Sequence, residues 1–277
     1  MSHYLKLVHL EIHRFRYMLF GLMGLTALVQ IGAIVFRVLG EIEERNAYFQ
    51  ATGKASETFF APMSFTRAVA DTQFWFAVPI GLSIATLVLY AFLIWYRDWI
   101  GRNTFVYRLL ALPAGRKPVY FAKLTALLTF VFAMVGFQLL LMPIAREIYT
   151  MIAPADQLEF SYIADAILAS RLFSLLLPGS FGTFVVHYGL GIMGVLVAFT
   201  AILLERSFRL IGIAYGLAYT VGCIALVVYP AYVFGMSYPR GYLYAEEIFA
   251  IQLAILGLVA LVSVWLGLYL LKKKVSA

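Results

Sequence analysis

Six apolar segments, each long enough to cross a membrane, dominate this sequence of 277 residues. Each holds about 20 mostly apolar residues, the number that a helix needs to cross a hydrocarbon core about 30 Å thick. They are residues 17–38, 73–96, 124–144, 182–204, 210–232 and 247–271. A mean hydropathy of +0.90 would leave a water-soluble domain with too much apolar surface. The sequence therefore predicts an all-α, polytopic membrane protein with six transmembrane helices in a single domain, residues 1–277.

The charged residues between these segments divide unequally between the two sides of the membrane. If the N-terminus is inside, the inner side carries 14 of the 21 basic residues. It carries only three of the 14 acids, Glu11, Asp98 and Glu205, so its net charge is +11. The other 7 basic and 11 acidic residues leave the outer side at −4. Because cytoplasmic loops of membrane proteins are enriched in Lys and Arg, we expect a cell (inner or plasma) membrane location with both termini cytoplasmic. The basic residues then face anionic membrane lipids, and no nucleic acid partner is implied.

One further segment, residues 160–177 in the predicted outer loop 145–181, is nearly long enough to cross. Its Asp165 and Arg171 would each cost about 2.5–3.5 kcal/mol at the membrane centre. A seventh span would also reverse the charge bias of everything after it. We therefore predict an amphipathic helix on or near the outer surface. Its apolar face is Ile163, Ile167 and either Leu172 or Phe173, with Asp165 toward water.

The first sixteen residues form an amphipathic segment ahead of the first apolar segment. One broad face is apolar and basic residues interrupt the rest, which predicts a short interfacial helix over residues 1–16 on the inner leaflet. His9 and His13 stand one helical turn apart, but the metalloprotease pattern would place Glu directly after the first His and needs a third ligand. We therefore expect histidines at headgroup level and no metal site.

The longest predicted cytoplasmic segment, residues 97–123, contains a second amphipathic pattern. Asn103 or Thr104 can cap a helix, and Pro113 would end it. Between them an apolar stripe recurs at helical spacing: Phe105, Leu109 and Leu112. Two interpretations are equally open. The helix docks into a groove on a soluble partner, or it lies on lipid headgroups with Arg102, Arg108, Arg116 and Lys117 at the phosphates.

Residues 98–123 resemble the ABC transporter permeases of the type-2 exporter class. In that family an acidic residue is followed by Gly-Thr, then Leu-Leu-x-Leu-Pro-x-x-Arg and a later Lys. The matching positions here are Asp98, Thr104, Leu109, Leu110, Leu112, Pro113, Arg116 and Lys123. Asn103 stands where Gly is usual, and Asp98 where Glu is commoner. Six spans, an N-terminal interfacial helix and cytoplasmic ends match the family along the whole chain.

The resemblance implies that the short helix is a coupling helix that contacts a separate ATP-binding subunit. The coupling residues would be Asp98, Arg102, Thr104, Phe105, Leu109, Leu112, Pro113 and Arg116. The chain itself has no phosphate-binding loop, because Tyr48 stands where the pattern ending in Gly53 and Lys54 needs its first Gly. We therefore expect no enzyme activity and no cofactor on this chain, with ATP and Mg on the partner ATPase. Two ATPases and a second permease, identical or related, would complete the transporter.

Two glycines predict a close helix contact in the fifth apolar segment. Gly212 and Gly216 form a GxxxG step, which lets two helix backbones approach closely. In the family that residues 98–123 resemble, the first and fifth spans are commonly near the permease dimer axis. The resemblance therefore implies dimer packing at these glycines, and packing within one chain is the equal alternative.

The apolar segments contain few polar groups, among them Gln30, Gln138 and His187. Such groups either face a substrate pathway or hydrogen-bond one helix to another. No chain of acids or arginines crosses the predicted spans, which argues against a proton-coupled carrier and an ion channel. The scarcity of charge favours an amphipathic cargo such as a peptide antibiotic, drug or lipid. A non-transporting sensor or scaffold subunit is the alternative function, followed by an intramembrane enzyme, for which no catalytic pair has a recognisable spacing.

Overall fold

A computed structural model of the chain describes residues 3–53, 60–99, 116–232 and 244–273. The regular elements in these ranges are helices, and an isolated parallel bridge joins Met63 to Leu158. The α-helices are α1 (His3–Thr52), α2 (Phe65–Asp71), α3 (Gln73–Trp99), α4 (Lys117–Ile152), α5 (Ile163–Ala169), α6 (Arg171–Leu176), α7 (Phe181–Ala231) and α8 (Ala245–Lys273). A single 3-10 turn, Ala155–Gln157, lies between α4 and α5.

Six helical stretches of the described residues are long and apolar enough to cross a membrane. They are Tyr4–Thr52, Gln73–Trp99, Lys117–Ile152, Phe181–Phe208, Leu210–Pro230 and Glu246–Lys272. Each overlaps one of the six apolar segments identified in the sequence. The predicted all-α, polytopic architecture is therefore confirmed, whereas the side of the membrane on which the termini lie stays a prediction.

Helix α1 extends beyond its apolar segment at both ends. It has 50 residues and no break after residue 16, so the segment predicted to be an interfacial helix is continuous with the first span from His3 onward. Its position on the inner leaflet stays a prediction. The reason is local, because no Gly or Pro precedes Gly21 and nothing ends the helix. At the other end α1 stops at Gly53, whose φ of +66° and N–H to the Phe49 carbonyl (2.8 Å) form a left-handed helix cap.

The chain divides into two compact units, of which the first comprises residues 1–14, 87–129 and 180–277. Most of this unit is α7 packed on α8, around a core of Met193, Val197, Cys223, Leu256 and Val259. Three aromatic rings form a further contact between α3, α4 and α7. Phe199 lies edge-on to Trp95, with 5.5 Å between ring centroids, and edge-on to Tyr120, with 5.8 Å.

Helix α7 turns back on itself within this unit. In a straight helix residues 15 apart are separated by about 22 Å, yet a Cβ atom at Gly216 would lie 3.0 Å from the carbonyl oxygen of Ala201. A Cβ atom at Gly212 would likewise lie 2.7 Å from the Cα of Glu205. Helix α7 is therefore a hairpin that reverses between Glu205 and Gly212, which gives the fourth and fifth predicted spans.

The second unit comprises residues 15–86 and 130–179. Its core joins α1 through α6, and its buried side chains include Phe65, Phe76, Met142, Tyr149 and Phe173. The Phe65 ring meets the Tyr149 ring edge-on at 5.7 Å, and the Phe76 ring meets the Phe173 ring at 5.8 Å.

The predicted single amphipathic helix at 160–177 is wrong in one respect, because the segment forms two short helices, α5 and α6. They are separated at Ser170, whose extended backbone (φ −96°, ψ 120°) ends one helix and begins the next. The predicted faces are otherwise correct. Ile163 and Ile167 pack on the core of the second unit, Phe173 is fully buried, and Asp165 is exposed. Helices of seven and six residues are too short to cross a membrane.

Candidate functional site

Three charged side chains from three helices lie buried together in the first unit. Glu11 of α1, Asp98 of α3 and Lys123 of α4 expose only 2–3% of their surface. The Lys123 ammonium donates to Glu11 Oε1 at 2.9 Å, to Asp98 Oδ2, and to the carbonyl oxygen of Ile94 at 2.7 Å. These three bonds use all three donors of the lysine.

Two arginines complete this group from its more exposed side. Arg14 donates to Asp98 Oδ1 at 3.1 Å, and Arg97 donates to Glu11 Oε2 at 2.6 Å. Their side chains are 28% and 35% exposed. We call these five residues the ion cluster: Glu11, Arg14, Arg97, Asp98 and Lys123. Its two acids are outnumbered by three bases, so both carboxylates are fully paired.

Local helix geometry explains why these side chains converge. Ile94, Trp95 and Asp98 share one face of α3 at i, i+1 and i+4 spacing, and all three are buried. The indole of Trp95 lies 5.3 Å from the Lys123 ammonium, in cation–π range. Trp95, itself buried, therefore contributes to the enclosure of this ammonium, whose side chain is almost fully buried.

The ion cluster links three helices, α1, α3 and α4. Burying several charges gives little net stability when all are paired, but removing one partner of a buried pair costs about 3–5 kcal/mol. The cluster therefore makes the association of α1, α3 and α4 specific, because any other arrangement would leave a buried charge unpaired. Asp98 lies in the last turn of α3 and Lys123 in the second turn of α4. Their ion pair thus fixes the distance between the two ends of the segment at residues 100–115.

Most of the predicted coupling residues fall on that segment, which is outside the described residues. They are Arg102, Thr104, Phe105, Leu109, Leu112 and Pro113. Of the other two, Asp98 belongs to the ion cluster. Arg116 donates to the carbonyl oxygens of Leu271 at 2.5 Å and Lys272 at 3.4 Å, near the end of α8. The last carbonyls of a helix have no partner within it, so Arg116 caps α8 and ties it to the start of α4.

A second polar contact joins α3 to the α7 hairpin. The Tyr96 hydroxyl donates to Glu205, and the guanidinium of Arg206 lies 4.8 Å from the Tyr96 ring and 5.6 Å from the Trp99 ring. With Glu11 and Asp98 in the ion cluster, each of the three predicted cytoplasmic acids is engaged within the protein. The positive charge predicted for this side is therefore not offset at the surface by free acids.

The predicted dimer-packing glycines, Gly212 and Gly216, lie inside the α7 hairpin. A Cβ atom added at either glycine would point at backbone atoms of the same helix, at Ala201, Leu204 and Glu205. The intramolecular alternative therefore accounts for both glycines. The absence of a side chain is required at Gly212, where even a methyl group would overlap backbone atoms.

Two of the three predicted pathway residues pair with each other in the second unit. Gln30 of α1 and Gln138 of α4 are 0% and 5% exposed, and each amide donates to the oxygen of the other, at 3.3 and 2.7 Å. This reciprocal pair gives each buried amide a partner for one N–H and for its oxygen where no water is available. The structure therefore places them in a contact between helices. His187, on α7, is only partly buried and lies in the other unit.

We predict that Gln30→Leu destabilises the second unit by about 1–3 kcal/mol, because it leaves the Gln138 amide buried without a partner. Gln30→Leu combined with Gln138→Leu should recover at least half of that loss, since both polar groups are then gone. Thermal unfolding in detergent, monitored for the wild type, both single variants and the double variant, measures the coupling. Additive losses would show that the two amides do not act as a pair.

Part of this site was predictable from the sequence and part was not. Asp98, Arg116 and Lys123 were singled out by the resemblance, whereas Glu11, Arg14 and Arg97 entered only the charge count. A signal was available for Glu11, because an isolated acid in a strongly basic segment next to a membrane span needs a basic partner. Within the described residues no group of three His, Cys, Asp or Glu side chains could hold a metal ion. Comparisons with family models, with curated proteins and with solved structures gave no match.

Proposed function

We propose that this chain is the membrane-spanning permease subunit of an ATP-driven ABC exporter of the type-2 class. A separate ATPase, in two copies and carrying Mg and ATP, supplies the energy, and a second permease, identical or related, completes the complex. The proposal is supported by the pattern of residues 98–123 and by six helices that are apolar enough to span a membrane.

One observation carries the proposal furthest. The first and last positions of the family-like pattern, Asp98 and Lys123, form a buried ion pair across the ends of the segment between α3 and α4. A coupling helix must pass a push from a soluble subunit to the spans without the loop ends yielding. A buried ion pair that also includes Glu11 of α1 provides such a rigid attachment. A push on residues 100–115 is then delivered to α1, α3 and α4 together.

The proposed cargo is an amphipathic molecule, such as a peptide antibiotic, drug or lipid, that is moved outward or extracted from the membrane. A highly charged solute needs a lined polar route to replace its hydration. The interior glutamines Gln30 and Gln138 are almost fully buried and bond to each other, so they do not form a polar route for such a solute. Extensive apolar surface on the helices suits a cargo that partitions into the membrane.

The test is to replace Leu109, in the centre of the predicted coupling stripe, by Asp. We expect ATPase copurification and ATP turnover to fall at least about tenfold, because a buried, unpaired carboxylate costs more than 1.4 kcal/mol in an apolar groove. Membrane insertion and yield should stay unchanged. Complexes are isolated from native membranes in mild detergent, and copurifying subunits with a phosphate-binding loop are identified by mass spectrometry.

Tyr107→Asp is the matched control, because position 107 is about 200° around the helix from position 105 and so lies opposite the stripe. It adds the same charge without entering the proposed groove, and association should be retained. Equal association and turnover in the wild type and the Leu109 variant would refute the docking assignment. Failure of any ATP-hydrolysing subunit to copurify with the wild-type chain would refute the permease assignment itself.

A further inference from the structure

A groove of about 550 Å³ runs along α1 in the second unit, beside the junction of α2 and α3. This volume is within the range of small-molecule binding sites. One end of the groove is apolar and the other carries a pair of opposite charges. The residues that define it are Leu28, Gly32, Phe36, Arg37, Asp71 and Trp75.

The apolar end exists because Gly32 has no side chain. Leu28 and Phe36 flank it at i−4 and i+4 on the same helix face, and they are 75% and 79% exposed. A Cβ atom at Gly32 would find no other atom within 4 Å, so the space above it is open. A second hollow of about 330 Å³ adjoins the first along α1 and shares these same three residues. This open space above Gly32, which we call the notch, therefore opens onto the exposed side of α1.

The polar end is an ion pair in which each side chain has a further atom that can form a hydrogen bond. Arg37 donates to Asp71 Oδ2 from Nε at 3.0 Å and from Nη2 at 2.8 Å. Asp71 Oδ1 and Arg37 Nη1 take no part in this pair, and the two side chains are 42% and 29% exposed. One acceptor on Asp71 and one donor on Arg37 thus remain at the end of an apolar groove, and the Glu41 carboxylate lies 3.9 Å from Arg37 Nη2. Trp75, 55% exposed, lies beside them, as expected of an aromatic residue at a membrane interface.

The length of the groove matches one membrane leaflet. From Leu28 to Arg37 the helix rises about 14 Å, close to half of a hydrocarbon core about 30 Å thick. Arg37 is also at the end of the first apolar segment, where the sequence predicts the outer interface. An apolar channel of this length with charges at the interface is shaped for one acyl chain and its headgroup.

We propose that the groove binds a phospholipid whose headgroup contains a primary ammonium, with the acyl chain over Gly32, the ammonium at Asp71 and the phosphate at Arg37. The charges select for this class. An anionic headgroup without an amine would offer no donor to Asp71. It would also add negative charge beside Asp71 and Glu41, whose carboxylate lies 3.9 Å from Arg37 Nη2. A quaternary ammonium headgroup has no N–H to donate to Asp71. Binding here does not depend on an ATPase partner, so it stands or falls independently of the proposed transport function.

The test uses the full chain in phosphatidylcholine nanodiscs doped with photoactivatable lipids that carry the probe on the acyl chain. Phosphatidylethanolamine, phosphatidylcholine and phosphatidylglycerol probes are compared at equal mole fraction, and crosslinks are mapped by mass spectrometry. We expect labelling of residues 28–36 by the ethanolamine probe to exceed that by the other two at least about fivefold, the effect of one charge-assisted hydrogen bond at a partly exposed site.

Two variants test the headgroup contact and the acyl-chain contact separately. Asp71→Asn should reduce ethanolamine labelling to the level of the choline probe, because the amide no longer attracts an ammonium. Gly32→Phe should remove labelling by all three probes, since its ring would occupy the space above residue 32, where a Cβ atom meets no other atom within 4 Å. Gly24→Phe is the control, because a Cβ atom at Gly24 also meets nothing within 4 Å but Gly24 does not line the groove. This variant should label like the wild type. Size-exclusion profiles and melting temperatures verify that each variant is folded.

Three outcomes would overturn the proposal. Equal labelling by the three lipids would show that the ion pair does not select a headgroup. Unchanged labelling of the Gly32→Phe variant would show that the notch does not bind the acyl chain. Protection of residues 28–36 from every probe in the wild type would show that protein, such as a second copy of this chain, covers the groove instead.

Discussion

Replacing Lys123 by Met is expected to destabilise the first unit by about 3–5 kcal/mol, because the carboxylates of Glu11 and Asp98 lose their shared ammonium while remaining buried. A loss of this size lowers the apparent melting temperature of a large domain by roughly 6 °C or more. Thermal unfolding of purified protein in one detergent, together with the folded yield from membranes, measures the effect. Met keeps most of the side-chain volume, so the change is mainly one of charge.

Lys117→Met is the matched control for this prediction. Lys117 is in the first turn of the same helix but exposed, so its replacement should change stability by less than about 0.5 kcal/mol. Combining Lys123→Met with Asp98→Asn should restore part of the loss, since Glu11 keeps its bond to Arg97. A Lys123 variant that melts like the Lys117 variant would show that the ion cluster is not a buried, interdependent unit.

The number and position of the membrane helices were predictable from the sequence because the rule involved is one-dimensional. A run of about 20 apolar residues forms a helix in lipid whatever its neighbours are. The same rule could not find where the helices end. Beyond Val38, helix α1 continues through a polar stretch in which Glu41 and Arg45 pair at 2.8 Å and are themselves buried. That continuation depends on packing in the second unit, which hydropathy does not report.

The break at Ser170 and the hairpin in α7 show a different limit. Hydropathy and charge correctly excluded residues 160–177 as a seventh span, yet they could not show that a buried Ser170 in extended conformation divides the segment. Likewise the GxxxG step at Gly212 and Gly216 predicts a close helix contact without identifying the second helix. The partner is set by the length of the turn between two spans, and a short turn makes neighbouring spans antiparallel partners.

The ion cluster was only half visible in the sequence for a physical reason. Asp98 and Lys123 border one loop, so a local pattern can mark both of them. Glu11 comes from a helix more than 80 residues away, and its choice of partner follows from three helices meeting in space. Pairing of Gln30 with Gln138, 108 residues apart, has the same origin. The polar residues were identifiable as costly in a membrane, but their partners were not.

Gly212→Ala is expected to open or distort the α7 hairpin. The new Cβ atom would lie 2.7 Å from the Cα and 2.8 Å from the carbonyl oxygen of Glu205, and these are backbone atoms that cannot rotate away. Overpacking of this kind costs about 1–3 kcal/mol and sometimes more. The loss should also reach the adjoining Tyr96–Glu205 contact. Limited proteolysis and thermal unfolding in detergent would report the opening.

Gly222→Ala makes the same chemical change farther along α7, at a position where a Cβ atom meets nothing within 4 Å. There Ala should raise stability by about 0.5–1 kcal/mol, because it lowers the entropy lost when the helix forms. The two variants are thus expected to shift the melting temperature in opposite directions. If Gly212→Ala were as stable as Gly222→Ala, the backbones at Gly212 and Glu205 could not be in contact, and the fourth and fifth spans would have to pack elsewhere.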